Sequence, residues 1–320
     1  VPGPYLTIAD LARTYWPIPL CAFLVSLLAT PLCRRYALKK GIVDRPDDFL
    51  KPHKAPIPYL GGVAIFLGWA AGIGLAMVLF RIVTNEENIG GSPAIYPGTM
   101  LGVLLAVLDI LLLGLSDDLR VLSPRVKLLG NIAIALLLTL FGIGDDIIRV
   151  LTDTVGVSLQ QWLIWVYSIP ITVFIVVGAC NATNLIDGVD GLCSGVLAII
   201  SLGFLVVAGH MHLWSEWHPY DVHRVTLALA MLGAALGFLP FNRSPAKIFM
   251  GDAGSMLLGL NAAVLLLLFA EQRQLRWVMG SVMVFGLPIA DMTLTLVRRW
   301  RNGRPIMEGD RSHFYDQLLD

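Results

Sequence analysis

The chain has 320 residues, balances 23 Lys and Arg against 23 Asp and Glu, and is 56% hydrophobic but only 14% charged, with a mean hydropathy of +0.74. A soluble chain of this length carries about a quarter charged residues, so a water-soluble globular protein is excluded. The expectation is an all-α polytopic transmembrane bundle without a nucleic-acid partner.

Apolar blocks of bilayer-spanning length predict nine spans in a single integral membrane domain over 1–320. They fall at roughly 17–33, 60–80, 98–116, 128–143, 161–180, 191–209, 224–241, 253–270 and 276–297. Of the 23 basic residues, 17 fall in one set of connections and six in the other. The positive-inside rule then puts the N-terminus outside and the first set in the cytoplasm. Cys21, Cys33, Cys180 and Cys193 show no paired spacing, which argues against disulfides and thiolate metal sites.

Taken in chain order, the polar residues inside this apolar background are few. Asp109 lies within the third span and is expected to face another helix. Ser116-Asp117-Asp118-Leu119 closes that span, and two acids at a helix C-terminus oppose its dipole, so something must compensate them. The choices are Arg120 and Arg125 in a solvated loop, or a metal or general-base role for the pair. Residues 144–160 are expected to form an outer hairpin or short helix. Asn181 to Leu192, Asn-Ala-Thr-Asn-Leu-Ile-Asp-Gly-Val-Asp-Gly-Leu, puts two carboxylates and two carboxamides into twelve residues between apolar runs. Side chains kept in such a place serve an ion, a substrate or a partner. The histidines of 210–223 accompany Trp214, Trp217 and Tyr220, and an interfacial aromatic belt accounts for them better than a metal site does.

Asn242 to Leu258 is a polar turn feeding the eighth span. Asp252 and Ser255 stand at the start of a helix whose free amides suit a phosphate; an N-cap with a packing seam accounts adequately for Ser255 and the glycines but not for Lys247 and Phe249 just before them. Asp291, in the ninth span, is expected to make a structural polar contact.

Asp117, Asp118, Asp187, Asp190 and Asp252 all emerge on the cytoplasmic side, where Lys54, Lys127, Lys247, Arg311 and His313 can join them. Oxygen donors without thiolates point to magnesium bridging carboxylates and substrate phosphates. The composite is a phosphate-handling enzyme at the membrane surface, with a secondary transporter using Asp109 and Asp291 as the competing class.

Five stretches carry a resemblance to a known family. They are Lys51-Pro-His-Lys-Ala-Pro-Ile-Pro-Tyr-Leu-Gly-Gly62, Leu115-Ser-Asp-Asp-Leu119, Asn181 to Leu192, Pro245-Ala-Lys-Ile-Phe-Met-Gly-Asp-Ala-Gly-Ser255 and Asp310-Arg-Ser-His313. In this order they resemble the polyprenyl-phosphate N-acetylhexosamine-1-phosphate transferases, relatives of the phospho-MurNAc-pentapeptide translocase. The resemblance implies transfer of a sugar-1-phosphate, most simply N-acetylglucosamine-1-phosphate, from a UDP-sugar to undecaprenyl phosphate. UMP is released, with magnesium or manganese as cofactor. It implies a bacterial cytoplasmic membrane protein with its active site in the cytoplasmic loops, leaves room for a homodimer, and brings ten or more spans in a complete protein. By motif, Asp117 and Asp118 become catalytic residues and Asp252, Asp187 and Asp190 metal ligands. Asn184, Phe249, Lys127, His53, Lys54, Lys247, Arg311 and His313 become substrate-binding residues, with Phe249 as the ring that stacks on uracil. The family's His-x-His-His run is here His313-Phe314-Tyr315-Asp316, which moves the chain away from the histidine-rich translocase.

The second pKa of a phosphate monoester is about 6, so the lipid phosphate needs no base at neutral pH. Asp118 or Asp117 is expected to position the attacking oxygen for in-line displacement, with general base as a secondary role and a phospho-aspartyl intermediate as the rival.

Overall fold

The computed structural model describes residues 8–44, 56–86, 97–214 and 220–303. In chain order the described elements are α1 (Ile8–Tyr15), α2 (Pro17–Lys40), β1 (Val43–Asp44), β2 (Ile57–Pro58), α3 (Gly61–Glu86), α4 (Pro97–Arg120), α5 (Pro124–Leu140) and α6 (Ile147–Val155). Then follow α7 (Gln161–Ile186), α8 (Leu192–Trp214), α9 (Asp221–Asn242), α10 (Gly251–Ala270), α11 (Leu275–Val284) and α12 (Gly286–Arg301). The strands form one two-residue antiparallel pair, Val43 opposite Pro58 and Asp44 opposite Ile57.

Among the described residues seven helices are long and apolar enough to cross a membrane, or eight if α11 and α12 make one span. Nine were expected, and the differences have local causes. The fourth expected span is α5, whose 17 residues reach about 26 Å, short of the ~30 Å hydrocarbon core. The ninth is bent by 72° between α11 and α12. Pro288, in the first turn of α12, supplies no backbone N–H and cannot continue α11. The segment 144–160, expected as a hairpin or short helix, contains a helix, α6. At mid-helix, Leu28 and Leu32 on α2, Phe174 on α7, and Ile199 and Val206 on α8 are exposed, as lipid-facing side chains are. The chain is a multi-pass helical membrane protein.

Helix α10 is the core: every residue from Ala253 to Ala270 is buried, as a helix apolar on all faces requires. It packs against α3, α4, α7, α9 and α11. Gly114 lets α4 come so close that a methyl there would lie 2.5 Å from Ala253 Cα. At the C-terminal end of α10, Arg224 donates from Nε to the Leu268 carbonyl at 2.9 Å, while pairing with Asp221. Both of these charged side chains are fully buried. The buried cation complements the negative end of the α10 dipole.

Just beyond that end sits Glu271. Burial, then repulsion from Asp145 and Asp146, raises its carboxyl from the ordinary 4.5 to about 8. The folded protein therefore holds this proton more tightly than the unfolded chain does. Its contribution to stability is complete below about pH 4.5 and is lost as pH rises through about 8. Thermal unfolding in detergent is expected to show wild type losing stability between about pH 5 and about pH 8, with Glu271→Gln losing distinctly less. Equal slopes for the two proteins would refute this.

Candidate active site

The site is assembled at one end of the bundle from helix ends and short connections. The turn after α4 is tight: Val121 adopts φ 48° and donates its N–H to the Asp117 carbonyl at 2.8 Å. Ser123 then caps α5, accepting from Val126 N–H at 3.4 Å, and Pro124 occupies the first helical position. This reversal brings Lys127, in the first turn of α5, back over the end of α4.

Lys127 Nζ lies 2.8 Å from Asp117 Oδ2 and also pairs with Asp252 Oδ2 on α10. Asp117 Oδ1 accepts from Leu122 N–H at 2.7 Å. The Asp117, Asp252 and Lys127 side chains are 14%, 23% and 28% exposed, so the group is open to a dissolved ligand. Asp118 points the other way. Its Oδ1 accepts from the Asp252 N–H at 2.8 Å and its Oδ2 from the Ala253 N–H at 3.2 Å. The paired acids are thus compensated by Lys127 and by the start of α10, while Arg120 and Arg125 are exposed.

From the end of α7, Asn184 Nδ2 donates to Asp252 Oδ1 at 2.8 Å and to Ser255 Oγ at 3.0 Å. Asp187, half-buried just beyond α7, is held well above the usual carboxylate range by burial and by the negative charges of Asp252, Asp118 and Asp190. Asp190 Oδ2 accepts the Ala246 N–H at 2.8 Å and so braces the connection between α9 and α10. In that connection Lys247 is exposed and its carbonyl accepts from Arg34 Nε at 3.0 Å, while Phe249 is half-buried.

The Phe249 backbone is stitched to the segment before α3. Phe249 N–H donates to Pro58 O at 2.9 Å, and Phe249 O and Met250 O accept from Gly61 and Gly62 N–H at 3.0 and 2.9 Å. The motif ending at Gly62 therefore acts as a brace for the Phe249 to Asp252 turn. The same hairpin brings in two residues not singled out from the sequence, Asp44 and Tyr59. Burial, then a hydrogen bond with Asp44, raises the Tyr59 phenol above its ordinary value, and the charges of Asp118 and Asp252 add to this. Tyr59 lies inside a recognisable motif, whereas Asp44 carries no sequence signal because the two-residue strand pair alone brings it near.

Of the expected site residues, Asp117, Asp118, Lys127, Asn184, Asp187 and Asp252 converge, with Asp190, Lys247 and Phe249 on the adjoining loops. His53, Lys54, Arg311 and His313 lie outside the described residues, as does 215–219 of the histidine-containing segment. Asp109 stands on the side of α4 that looks toward α5, as expected of a residue facing another helix, but it is not packed against it. It is exposed and lines an open groove between α4 and α5 with Ser116 and Gly130. Asp291 is buried on α12, 4% exposed. Among the described residues no three His, Cys, Asp or Glu side chains form a ready metal cage. Magnesium does not require one, since it keeps waters and is held by one or two carboxylates plus substrate phosphates. The residues present fit such an ion: Asp187 is crowded by like charges, and oxygen donors prevail.

Comparison with known proteins gives a consistent result. Residues 100–270 match the family model described as glycosyl transferase family 4. Over 303 residues the chain is 35% identical to a probable undecaprenyl-phosphate N-acetylglucosaminyl 1-phosphate transferase of Bacillus subtilis, covering 93% of this chain and 76% of that one. It is 33% identical to the decaprenyl-phosphate N-acetylglucosaminephosphotransferase of Mycobacterium tuberculosis, covering 94% of this chain and 75% of that one. It is also 32% identical to the phospho-N-acetylmuramoyl-pentapeptide-transferase of Bacillus subtilis, covering 94% and 88%.

Proposed function

The chain belongs to glycosyl transferase family 4, and on that premise we propose that it transfers N-acetylglucosamine-1-phosphate from its UDP-sugar to undecaprenyl phosphate, with magnesium. The observation that carries the reading is the meeting of Asp117, Lys127, Asn184 and Asp252 at one open end of a membrane bundle. A lipid phosphate and a water-soluble nucleotide sugar can both reach such a place. The excess of Lys and Arg in the connections at this end supports a cytoplasmic orientation, with a bacterial inner membrane as the proposed location.

An oxygen of the lipid phosphate attacks the phosphorus that carries the sugar. A new phosphorus–oxygen bond forms, the bond between the two phosphorus centres through the bridging oxygen breaks, and UMP leaves with that oxygen and its electron pair. No proton has to be removed from the dianionic acceptor. Lys127, steadied by Asp117 and Asp252, holds a phosphate oxygen and offsets charge as the bond forms. Asp117 fixes where Lys127 and the attacking oxygen stand. Phe249 offers a ring face to the uracil, with Asn184 beside the diphosphate. Asp252 and Asp187, with Asp190 behind them, would hold magnesium, whose charge would polarise the diphosphate. His53, Lys54, Lys247, Arg311 and His313 remain candidates for further phosphate contacts.

The test is purified protein with undecaprenyl phosphate and a panel of UDP-sugars, UDP-MurNAc-pentapeptide included, with and without magnesium. UMP is expected only with magnesium, and fastest from UDP-N-acetylglucosamine. No UMP from any donor would overturn the reading. Release from the pentapeptide donor alone would move the chain to the peptidoglycan reaction.

A further inference from the structure

The two neighbouring acids at the end of α4 have different surroundings, and the difference assigns them different work. Asp117 faces Lys127 and the open cleft, whereas both oxygens of Asp118 are occupied by backbone amides of another helix. We propose that Asp118 is a positioning residue that caps the N-terminus of α10 across the helix interface, and that it touches neither substrate.

The need for such a cap follows from α10 itself. The first amides of a helix have no intrahelical acceptor. The residue preceding α10, Met250, is already in a right-handed helical conformation and gives no side-chain cap. Asp118 supplies the missing acceptor from outside, at 2.8 Å to Asp252 N–H and 3.2 Å to Ala253 N–H. An acid at the C-terminal end of α4 is repelled by its own helix dipole but attracted by the positive end of α10. The unfavourable placement on one helix is thereby turned to use on the other.

Gly251 makes the approach possible. Its φ of 68° lies in the left-handed region, and a methyl at this position would overlap Asp118 Oδ2. Gly114 on α4 brings the helices together one turn away, against Ala253 and Asp252. What Asp118 holds is therefore the backbone of Asp252, whose side chain reaches Lys127 and Asn184. Moving that backbone moves the carboxylate offered to the metal and the phosphates.

The inference rests on the proposed transferase reading only for its activity arm, and the direct test needs no turnover. Hydrogen exchange is measured at the amides of Asp252 and Ala253 in wild type, Asp118→Asn and Gly251→Ala, the last leaving the carboxylate in place while blocking its approach. Both variants are expected to exchange at least about tenfold faster at these amides. Gly254, whose N–H already bonds to Met250 O, serves as the internal reference. Manganese binding followed by electron paramagnetic resonance is expected to weaken about ten- to a hundredfold in both variants, the usual consequence of losing a group that orients a ligand. Residual activity is expected to keep the wild-type pH profile, and the double variant to be no worse than the worse single one. Unchanged exchange at 252 and 253, or a displaced pH profile in Asp118→Asn with native manganese affinity, would overturn the positioning role in favour of direct chemistry. If wild type released no UMP while the exchange and manganese arms behaved as stated, the transferase reading would fail and the cap would stand.

Discussion

Replacing Asp252 with asparagine is expected to reduce UMP release on the order of a thousandfold, the upper range for removing one electrostatic group from a reacting centre. Asp252 is the residue on which the site's elements meet: it accepts from Asn184 on α7 at 2.8 Å and pairs with Lys127 on α5. In the proposed mechanism it is also the carboxylate that would face both a metal ion and a diphosphate. Stability should move little, because the loss of a carboxylate that Lys127 and Asn184 favour is offset in two ways. Lys127 keeps Asp117 as a partner at 2.8 Å, and Asp187 loses one of the negative charges that crowd it. The combination of lost turnover with a nearly unchanged unfolding temperature separates a functional carboxylate from a structural one. Retention of more than about a tenth of wild-type turnover at saturating magnesium would remove Asp252 from the centre of the mechanism.

The second large effect is expected at Gly62, which touches no substrate. A methyl there would overlap the Gly254 nitrogen and lie 2.7 Å from the Ala253 carbonyl carbon and 2.8 Å from Ala253 Cβ. These neighbours are backbone or tied closely to it, so no rotamer change relieves the clash and α3 must move away from the start of α10. Overpacking of this kind costs about 1–3 kcal/mol. A displacement of about 1 Å at a reacting centre costs about a hundredfold in rate. Gly62→Ala is therefore expected to lower both the unfolding temperature and turnover. Gly74→Ala is the control, since a methyl there meets nothing within 4 Å and removes a helix-weakening glycine. It is expected to leave turnover unchanged and stability equal or higher. If the two alanine variants behave alike, close packing of α3 on α10 is not what aligns the site.

Both expectations depend on α10 being held as a unit. Asp118 and the amides meet at one end, and Arg224 and the Leu268 carbonyl meet at the other. Its apolar surface alone would not fix its height in the bundle, because leucines one turn apart are equivalent neighbours in a hydrocarbon-like core. The polar ends supply the register.

The membrane class, the number of long apolar segments to within one or two and the acids at one end were legible in the sequence, whereas the choice between hairpin and helix after residue 146 was not. Hydropathy and motif spacing are properties of contiguous residues and survive any change in how helices pack. Lys127 was legible for the same reason, standing a few residues beyond the acidic pair it returns to.

What only the tertiary structure decided is which way each of those side chains turns. Asp117 and Asp118 are equivalent in the sequence, and Arg120 and Arg125 were the nearer cations. The packed helices instead give Asp117 to Lys127 and Asp118 to the amides of α10. Asp190 becomes a brace for the Ala246 turn, Asp44 joins Tyr59, and Asp109 lies exposed in an open groove toward α5. The reason is physical: a helix end presents unsatisfied donors or acceptors in a direction set by its axis. Whether a carboxylate meets them depends on the angle and distance between two helices, neither of which is a property of either segment alone.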